Sequence, residues 1–390
     1  MNIAFLVVKH IARGGGIEKY TEELGSRLVQ RGHAVRVYSM HHYGDVPRVY
    51  HGMRIIPVPC LPLPQLEKLS SSAFAIAHAS LSRWADVVHL HHVGPGAFAW
   101  FAHLLRKPTL IQYHGLEWKR SRWGKLGSVV LKGLERWSFV VNRHFTAVSE
   151  EQCRYFKEQY GVDVRYIPCG TAVQSPTPPQ EIHRLGLQPK RYILFASRLV
   201  REKGAQYLVP AFRRLDTDCK LVIAGDVPGA DDYKQELVNL AGGDPRIIFP
   251  GYVEGRLRDE LYSHALVYVQ PSEIEGLSIA LLEAMSYGLC CLVSDIPENL
   301  EAIAGHGVTF HNADVADLSR RLQQLLTTEG LPDIIAANAT EHIRRQYSWD
   351  RITNEFEACY QTLVARHRLD MPAYEIPGAQ PNLFEGHTRL

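Results

Sequence analysis

Short runs of apolar, often β-branched residues alternate with stretches of helical periodicity along most of the chain. The apolar runs are candidate strands at 3–8, 34–39, 53–58, 86–91, 108–113, 144–148, 191–196, 219–224, 246–249, 266–270 and 290–293. Helical periodicity fills intervals such as 17–31, 96–106, 124–142, 204–214, 231–242 and 276–287. Continuously apolar strands joined by helices are typical of parallel sheets that are covered on both faces. The pattern therefore predicts an α/β protein with doubly wound sheets.

The alternation is interrupted once, at 168–190, by prolines and polar residues. Proline lacks an amide donor and biases the preceding residue toward extended backbone, so this segment is typical of an interdomain linker. A chain of 390 residues also exceeds the ~250–300 residues that one core supports. We predict an N-terminal domain at 1–170 and a C-terminal domain at 171–348, facing each other across a cleft. A helix at 349–368 and a flexible tail at 369–390 follow.

The composition is that of a soluble globular protein, with 46% hydrophobic and 22% charged residues. A net charge of +2 gives no reason to expect nucleic-acid binding. The seven cysteines are scattered apart from Cys290 and Cys291, so neither a disulfide framework nor a metal knuckle is indicated, and a reducing cytosol fits best. The apolar run at 3–8 lacks the features of a signal peptide, and no segment has the ~18–20 apolar residues of a membrane span. We expect a cytoplasmic protein.

A glycine-rich loop, Arg13–Glu18, follows the first strand and precedes a helix. Glycines let the backbone approach a ligand, and a helix N-terminus offers free amides to an anion. The spacing is not that of a dinucleotide fingerprint, and no acidic residue closes the next strand. By itself the loop is equally compatible with a plain tight turn.

A basic loop, Ser197–Gly204, follows the strand at 191–196. Arg198 offers a rigid guanidinium fork and Lys203 a mobile point charge, a pair suited to a diphosphate. In a low-dielectric cleft this pair would neutralise charge on a leaving diphosphate. Taken alone, the loop is also compatible with a solvated basic turn.

Two glutamates, Glu275 and Glu283, lie in the segment Pro271–Ala284 after the strand at 266–270. If a helix begins near Gly276, Glu275 lies at its start and Glu283 about two turns further on the same face. Two carboxylates in this arrangement suit two sugar-like rings. A structural ion pair is the alternative for Glu283, because a carboxylate in so apolar a helix needs a partner.

Taken in order, these motifs resemble the retaining glycosyltransferases of family 4, which have the GT-B fold of two Rossmann-like domains. The resemblance rests on Gly15–Glu18, on the Arg198 and Lys203 pair, and on Glu275 and Glu283, which are separated by seven residues as in the family. The segments Val222–Asp226, Ser294–Asn299 and Tyr347–Asp350 are also similar to family sequences. It covers about residues 1–368.

The resemblance implies a role for each matching residue. Glu275 would hold hydroxyls of the donor sugar and Glu283 those of the ribose. Arg198 and Lys203 would clamp the diphosphate with help from Gly15 and Gly16. Further donor-side residues would be Gly225, Tyr252, Val253, Gly276, Leu277 and Ser278. The helix at 349–368 would cross back onto the N-terminal domain, and no metal or cofactor is implied.

The stretch Tyr113–Gly124 resembles a subset of the family that acts in bacterial surface-polysaccharide synthesis, including rhamnosyltransferases. His114 would contact the reacting sugar; the alternative is a histidine that caps a strand end. Glu117 either contacts the acceptor or pairs with Arg120. Glu18 and Trp118 are further candidates for the acceptor side.

Two patterns suggest metal sites but have simpler interpretations. His89 and His91 lie on one face of a strand and His92 follows, yet no third ligand is indicated, so a strand end facing the cleft is favoured. Asp216–Asp218 lies between a helix and a strand, away from the cleft, and is interpreted as a solvated turn.

The small net charge conceals an asymmetry between the two halves. Residues 1–170 hold 22 Lys and Arg against 12 Asp and Glu, which gives +10, and residues 171–390 hold 21 against 29, which gives −8. Seven of the basic residues fall within 115–144, interleaved with Trp118, Trp123 and Trp137. Such a stretch is typical of contact with an anionic membrane surface, with a solvated helix as the alternative.

We therefore predict a metal-independent, retaining hexosyltransferase. It would move a hexose or 6-deoxyhexose from a nucleotide diphosphate sugar to a glycan or lipid-linked acceptor hydroxyl, in surface polysaccharide or glycoconjugate synthesis. A nucleotide-sugar 2-epimerase on the same fold and a non-catalytic sugar-nucleotide sensor are the alternatives.

Overall fold

A computed structural model describes residues 1–12, 15–45, 47–61, 63, 66–120, 123–226 and 231–369. Arg13, Gly14 and Arg122 of the predicted motifs lie outside these residues, as does the predicted tail after Leu369. Within the described part of the chain, no helix is long and apolar enough to cross a membrane.

The first sheet has the strand order β3-β4-β2-β1-β5-β6-β7-β8. All of its pairings are parallel except that between β3 and β4. Its strands are β1 (Asn2–Val8), β2 (Ala34–Met40), β3 (Val49–Tyr50), β4 (Met53–Val58), β5 (Val87–His91), β6 (Thr109–Tyr113), β7 (Phe145–Ala147) and β8 (Arg165–Tyr166). The helices that follow these strands are α1 (Gly16–Gln30), α2 (Glu67–Leu81), α3 (Val93–Gly96), α4 (Ala99–Leu104), α5 (Gly124–Val141) and α6 (Glu150–Tyr160).

The second sheet is parallel throughout and has the order β11-β10-β9-β12-β13-β14. Its strands are β9 (Tyr192–Ala196), β10 (Lys220–Ala224), β11 (Ile247–Gly251), β12 (Val267–Gln270), β13 (Cys290–Ser294) and β14 (Val308–Phe310). Its helices are α7 (Ala205–Arg213), α8 (Asp231–Ala241), α9 (Gly255–His264), α10 (Ile279–Ser286), α11 (Pro297–Ile303), α12 (Val315–Thr327), α13 (Leu331–Ala336) and α14 (Ala339–Gln346). The long helix α15 (Trp349–Leu369) comes last. Two doubly wound parallel sheets confirm the predicted fold class.

The strands that the hydrophobic pattern does not reveal are short and lie at sheet edges. β3 and β8 have two residues each and end the first sheet, while β14 has three residues and ends the second. An edge strand has one paired side, so it needs no continuous apolar run. The predicted helix at 96–106 is also divided, into α3 and α4.

Helix α15 follows the second domain in sequence but packs on the first, as predicted. Its Trp349 and Phe356 rings lie against Tyr20 of α1, with ring centroids 5.7 and 6.2 Å apart. At the surface, Glu357 accepts from Arg31 at 2.9 Å and contacts His33 at 2.7 Å. The two halves of the chain therefore share one continuous core cluster.

The segment that joins the sheets is held by backbone contacts. Thr171 pairs with Ser348, immediately before α15. A Cβ at Gly170 would lie 2.4 Å from the Trp349 ring, so only glycine allows this ring to lie there. The amides of Gln180, Glu181 and Ile182 all donate to one carboxylate oxygen, Oε2 of Glu260, at 2.6–3.1 Å.

A buried polar contact fixes α15 against the first sheet. The Tyr360 hydroxyl lies 2.6 Å from Nδ1 of His89, and Nε2 of His89 lies 3.0 Å from the Gln112 side-chain oxygen. Burial lowers the pKa of His89 to about 3, so the ring is neutral. Since the amide oxygen only accepts, Nε2 carries the proton and Nδ1 accepts from Tyr360.

We predict that Tyr360→Phe lowers the free energy of unfolding by about 1–3 kcal/mol, because a buried acceptor loses its donor. Denaturant unfolding measures the change. The control is Tyr252→Phe, which removes a hydroxyl from an exposed tyrosine and should have little effect. Equal stability of the two variants would contradict the inferred role of the Tyr360 bond.

Candidate active site

The candidate site lies where the carboxyl ends of the two sheets meet. The loop after β12 reaches the loop after β6, and a Cβ at Gly276 would lie only 2.0 Å from the carbonyl oxygen of His114. The Gln152 side chain also donates to the Gly276 carbonyl at 3.3 Å. The two domains are therefore in backbone contact at the cleft, and only glycine at 276 permits it.

The centre of the site is a buried ion pair. Nζ of Lys203 lies 2.6 Å from Oε1 of Glu275, and their side chains are 13% and 6% exposed. Glu275 also accepts from the Gln270 amide, which in turn accepts from the Tyr268 hydroxyl at 2.7 Å. Burial lowers the pKa of Lys203, the carboxylate of Glu275 offsets part of this shift, and nearby Arg198 and Arg120 lower it further.

Arginines from both domains flank this pair. Arg198 follows β9 and is exposed. Arg120 belongs to the opposite domain, where its Nε lies 3.2 Å from Oε2 of Glu117. The structure thus contains the Glu117–Arg120 pair, and it brings a third cation toward Lys203 that the sequence motifs did not assign to the donor.

The predicted start of the helix after β12 was wrong. Helix α10 begins at Ile279, and the Ser278 hydroxyl accepts from the Leu281 amide as its N-cap. Serine is a strong N-cap, and Gly276 is engaged with the opposite domain instead of a helical turn. Glu275 therefore precedes the helix, and the argument that it shares a helical face with Glu283 does not apply. Leu277, which lies between Glu275 and Glu283 in the sequence, is buried.

Glu283 lies on α10 and has cationic neighbours from two elements. The carboxylate is 3.5 Å from Nη1 of Arg258 on α9. Burial raises the pKa of Glu283, while the charges of Arg258 and of Lys19 on α1 counteract the rise. The structure thus contains the ion pair considered from sequence, although the carboxylate keeps 19% of its surface exposed.

The glycine loop places the N-terminus of α1 beside that of α10. Gly15 is the N-cap of α1, and an added Cβ at Gly16 would lie 3.9 Å from Ile279 at the start of α10. The Glu18 carboxylate folds back and accepts from the Lys9 amide at 3.0 Å. The N-termini of these two helices, which belong to opposite domains, therefore lie side by side, so the positive ends of their dipoles are close together.

The remaining donor-side residues border the second sheet. Gly225 has φ 142°, and a Cβ there would lie 1.8 Å from the Ser197 carbonyl oxygen, so the end of β10 lies tightly against the basic loop. Tyr252 follows β11 and is exposed, and Val253 packs against the core. Of the acceptor candidates, Trp118 lies under Nζ of Lys132 at 3.8 Å and beside Tyr155, not with the Lys203 group.

His114 follows β6 and faces a group of buried rings. Its Nε2 lies 3.1 Å from Nδ1 of His91, and its ring is edge-on to Tyr20 at 4.9 Å. Burial lowers the pKa of His114 well below its usual value, and nearby charges lower it further. The ring is therefore neutral.

The histidine run at the end of β5 is buried and bonded within the protein. His89 contacts Tyr360 and Gln112, and His91 contacts Thr21 and His114. Over the described residues, no three or more His, Cys, Asp or Glu side chains are grouped to hold a metal ion. Asp216–Asp218 forms a turn whose Thr217 carbonyl accepts from Arg246 at 3.1 Å.

Comparison with known proteins covers nearly all of both domains. Residues 14–175 match the family described as Glycosyltransferase Family 4, and residues 180–342 match Glycosyl transferases group 1. An uncharacterised glycosyltransferase of Methanocaldococcus jannaschii is 31% identical over 45% of this chain and 46% of its own length. The D-inositol 3-phosphate glycosyltransferase of Xylanimonas cellulosilytica is 26% identical over 86% of this chain and 89% of its own.

Solved structures share the fold. Sucrose-phosphate synthase from Thermosynechococcus elongatus superposes with a TM-score of 0.80 at 20% identity, covering 94% of this chain and 99% of that one. Anabaena HepE, solved in complex with UDP and glucose, superposes with a TM-score of 0.77 at 16% identity, covering 93% and 100%. The chain is a glycosyltransferase of the family 4 type with the GT-B fold.

Proposed function

We propose that the chain is a retaining glycosyltransferase that moves a hexosyl or 6-deoxyhexosyl unit from a nucleotide diphosphate sugar to an acceptor hydroxyl. Two observations support the proposal: the charges of Arg198 and Arg120, from opposite domains, act on buried Lys203, and the N-termini of α1 and α10 lie side by side. Such a site suits a diphosphate. The complex of HepE with UDP and glucose supports the same donor class for this fold.

Stabilisation of the leaving diphosphate is the main contribution that these residues make. As the bond to the sugar breaks, negative charge develops on the diphosphate, and fixed cations beside it stabilise that charge without reorganising. Lys203 is buried and held by Glu275, so it is oriented before the donor arrives. Arg198 supplies a second cation from the same domain, and Arg120 supplies one from the other. We propose no metal in this role.

The sugar is held where the domains touch. Glu275 has one oxygen engaged by Lys203 and Gln270, and a carboxylate has further acceptor sites for sugar hydroxyls. His114 lies on the opposite wall, next to Gly276. Contact between the two walls excludes water, which strengthens the contacts to phosphate and protects the donor from hydrolysis.

Glu283 is proposed to bind the ribose of the donor. Burial raises the pKa of its carboxylate, but the charges of Arg258 and Lys19 act in the opposite direction and favour the ionised form, which accepts two hydroxyls. Gly225, Tyr252 and Val253, which border this side of the cleft, would bracket the base.

The acceptor is proposed to be lipid-linked and reached at an anionic membrane surface. Helix α5 exposes Leu126, Val129, Val130, Trp137 and Val140, and Leu126 and Val140 are 79% and 71% exposed. Further exposed apolar side chains lie on α4, which contacts α5, and on α2, which contacts α4: Trp100, Leu104, Phe74 and Leu81. Lys125, Lys132 and Arg136 are exposed on α5 among these apolar residues.

An apolar helical face with cations among its residues suits the interface of an anionic bilayer. A solvated helix, the alternative, would not expose so many large apolar side chains in one place. Docking by this face makes the enzyme a peripheral protein of the cytoplasmic membrane surface, in surface polysaccharide or glycoconjugate synthesis.

We predict that Arg198→Ala and Lys203→Ala each lower turnover ~10–100-fold, because each removes a charge-assisted contact worth ~1.5–3 kcal/mol in the transition state. Initial rates with saturating donor measure the effect. Arg201→Ala is the matched control, since Arg201 lies between them in the same loop but pairs with Glu236 at the surface. Unchanged turnover in both test variants would reject the diphosphate clamp.

We predict that Glu283→Gln weakens binding of the best-bound nucleoside diphosphate ~10–100-fold, at ~1.5–3 kcal/mol for hydrogen bonds to a charged group. A thermal-shift screen with UDP, GDP and dTDP first selects the ligand. Calorimetry then compares it with its 2′,3′-dideoxy analogue. If Glu283 binds the ribose, the variant and the wild type should bind the analogue alike. An equal loss for both ligands would show that Glu283 acts only through its ion pair with Arg258.

We predict that the protein floats with anionic vesicles at physiological salt and not with neutral ones. A Leu126→Ser/Val129→Ser variant should float several-fold less, because insertion of apolar side chains contributes to binding. Arg344→Gln/Arg345→Gln, at the exposed end of α14, is the charge control for the second domain. Absence of wild-type flotation with anionic vesicles would contradict membrane docking and leave the donor site unaffected.

A further inference from the structure

A line of three side chains connects helix α1 to His114 through the interior of the first domain. The Thr21 hydroxyl lies 2.7 Å from the Ile17 carbonyl oxygen and 3.2 Å from Nε2 of His91. Nδ1 of His91 lies 3.1 Å from Nε2 of His114. Thr21 and His91 are 0% and 2% exposed.

The positions of the protons follow from the partners. Thr21 has a single hydroxyl hydrogen, which it donates to the Ile17 carbonyl, so its oxygen accepts from His91. His91 therefore carries its proton on Nε2 and has a lone pair on Nδ1. That lone pair accepts from Nε2–H of His114, which leaves the lone pair of the His114 ring on Nδ1.

This assignment requires both rings to be neutral, and their surroundings favour that. Burial lowers the pKa of His91 and of His114 well below the usual value. The charge of Lys68 acts in the same direction on both rings, as would protonation of a neighbouring histidine, and Arg120 adds to this effect at His114. A neutral imidazole has one donor and one acceptor nitrogen, so fixing one fixes the other.

We propose that Thr21 and His91 are positioning residues that hold His114 in its Nε2–H tautomer, so that Nδ1 accepts a hydrogen bond from a hydroxyl of the donor sugar. This rests on the proposed contact between His114 and the sugar. The other tautomer would present an N–H donor, which requires an acceptor atom of the sugar instead of a hydroxyl donor. Fixing the tautomer in advance avoids a rearrangement when the donor binds.

The arrangement also ties the sugar side of the site to the glycine loop. Thr21 lies one turn beyond Ile17 on α1, whose first residue is Gly16. A movement of α1 would therefore alter the bond to His91 as well as the amides at the helix N-terminus. The diphosphate side and the sugar side are supported by the same helix.

The tautomers are directly measurable by NMR. In protein labelled with ¹⁵N-histidine, protonated and lone-pair ring nitrogens resonate in separate regions, and long-range ¹H–¹⁵N spectra distinguish Nδ1 from Nε2. Spectra of His91→Asn and His114→Asn assign the two rings. We expect both rings of the wild-type protein without ligand to be Nε2–H. An Nδ1–H tautomer at His114 would overturn the proposal, whatever the activity.

Substitution of Thr21 tests whether this residue fixes the tautomers of His91 and His114. In Thr21→Val the His91 Nε2–H loses its acceptor, and both rings should shift toward Nδ1–H. We expect kcat/KM for the sugar donor to fall roughly 3–10-fold, the effect of one hydrogen bond, with binding of the nucleoside diphosphate unchanged. Thr21→Ser should keep both the tautomers and the activity.

A second buried helical threonine provides the control. Thr353 is also 0% exposed and donates to the carbonyl four residues earlier, that of Trp349, at 2.7 Å. Thr353→Val should have a similar effect on stability and none on the His114 tautomer. If Thr21→Val leaves both tautomers as in the wild type, Thr21 does not set them. If His114 has the expected tautomer but its Nδ1 resonance does not respond to the sugar donor, the control of the tautomer by Thr21 and His91 is supported. The proposed contact between His114 and the sugar is then contradicted.

Discussion

The contact between the Gly276 backbone and the His114 carbonyl is the constraint on which the whole site depends. A side chain at 276 would overlap the opposite domain, since its Cβ would lie 2.0 Å from that oxygen and 3.0 Å from Cα of Gly115. Because position 276 is glycine, the two backbones come into contact there. This contact brings Glu275 on one wall close to His114 on the other. A sugar bound between them is then enclosed by main chain, which is more rigid than side chains.

The charges in the cleft explain why an anion belongs there. The charges of Arg198 and Arg120 act on Lys203, and the carboxylates paired with Lys203 and Arg120 are those of Glu275 and Glu117. Burial lowers the pKa of Lys203, and the like charges of Arg198 and Arg120 lower it further, because both oppose protonation. A bound diphosphate would act in the opposite direction, because its negative charge favours the protonated lysine. Binding of a diphosphate would therefore raise the pKa of Lys203, and the low dielectric of a closed cleft would strengthen the attraction.

The sequence predicts the fold well because the signals are local and repeated. Most long strands are largely apolar runs and most connections between them are helices, so two mainly parallel sheets follow. The failures arise where tertiary contacts outweigh local preference. Ser278 caps the helix, and Gly276 contacts the backbone of the other domain. Helix α10 therefore starts three residues later than expected. Arg258 and Lys19 are far in sequence from Glu283, and Arg120 is far from Lys203. No local sequence pattern therefore connects them.

The asymmetry of charge has a structural counterpart in the first domain. Helix α5 begins at Gly124, ten residues after His114, so one loop separates the cleft wall from the exposed apolar face. Within that loop, Trp118 packs under Lys132 of α5, and the charge of Arg120 acts on Lys203. If α5 docks on a membrane as proposed, a lipid-linked acceptor would lie on the side of the domain that this loop joins to the cleft. The proposed membrane face and the proposed diphosphate site would then share the basic excess of this domain.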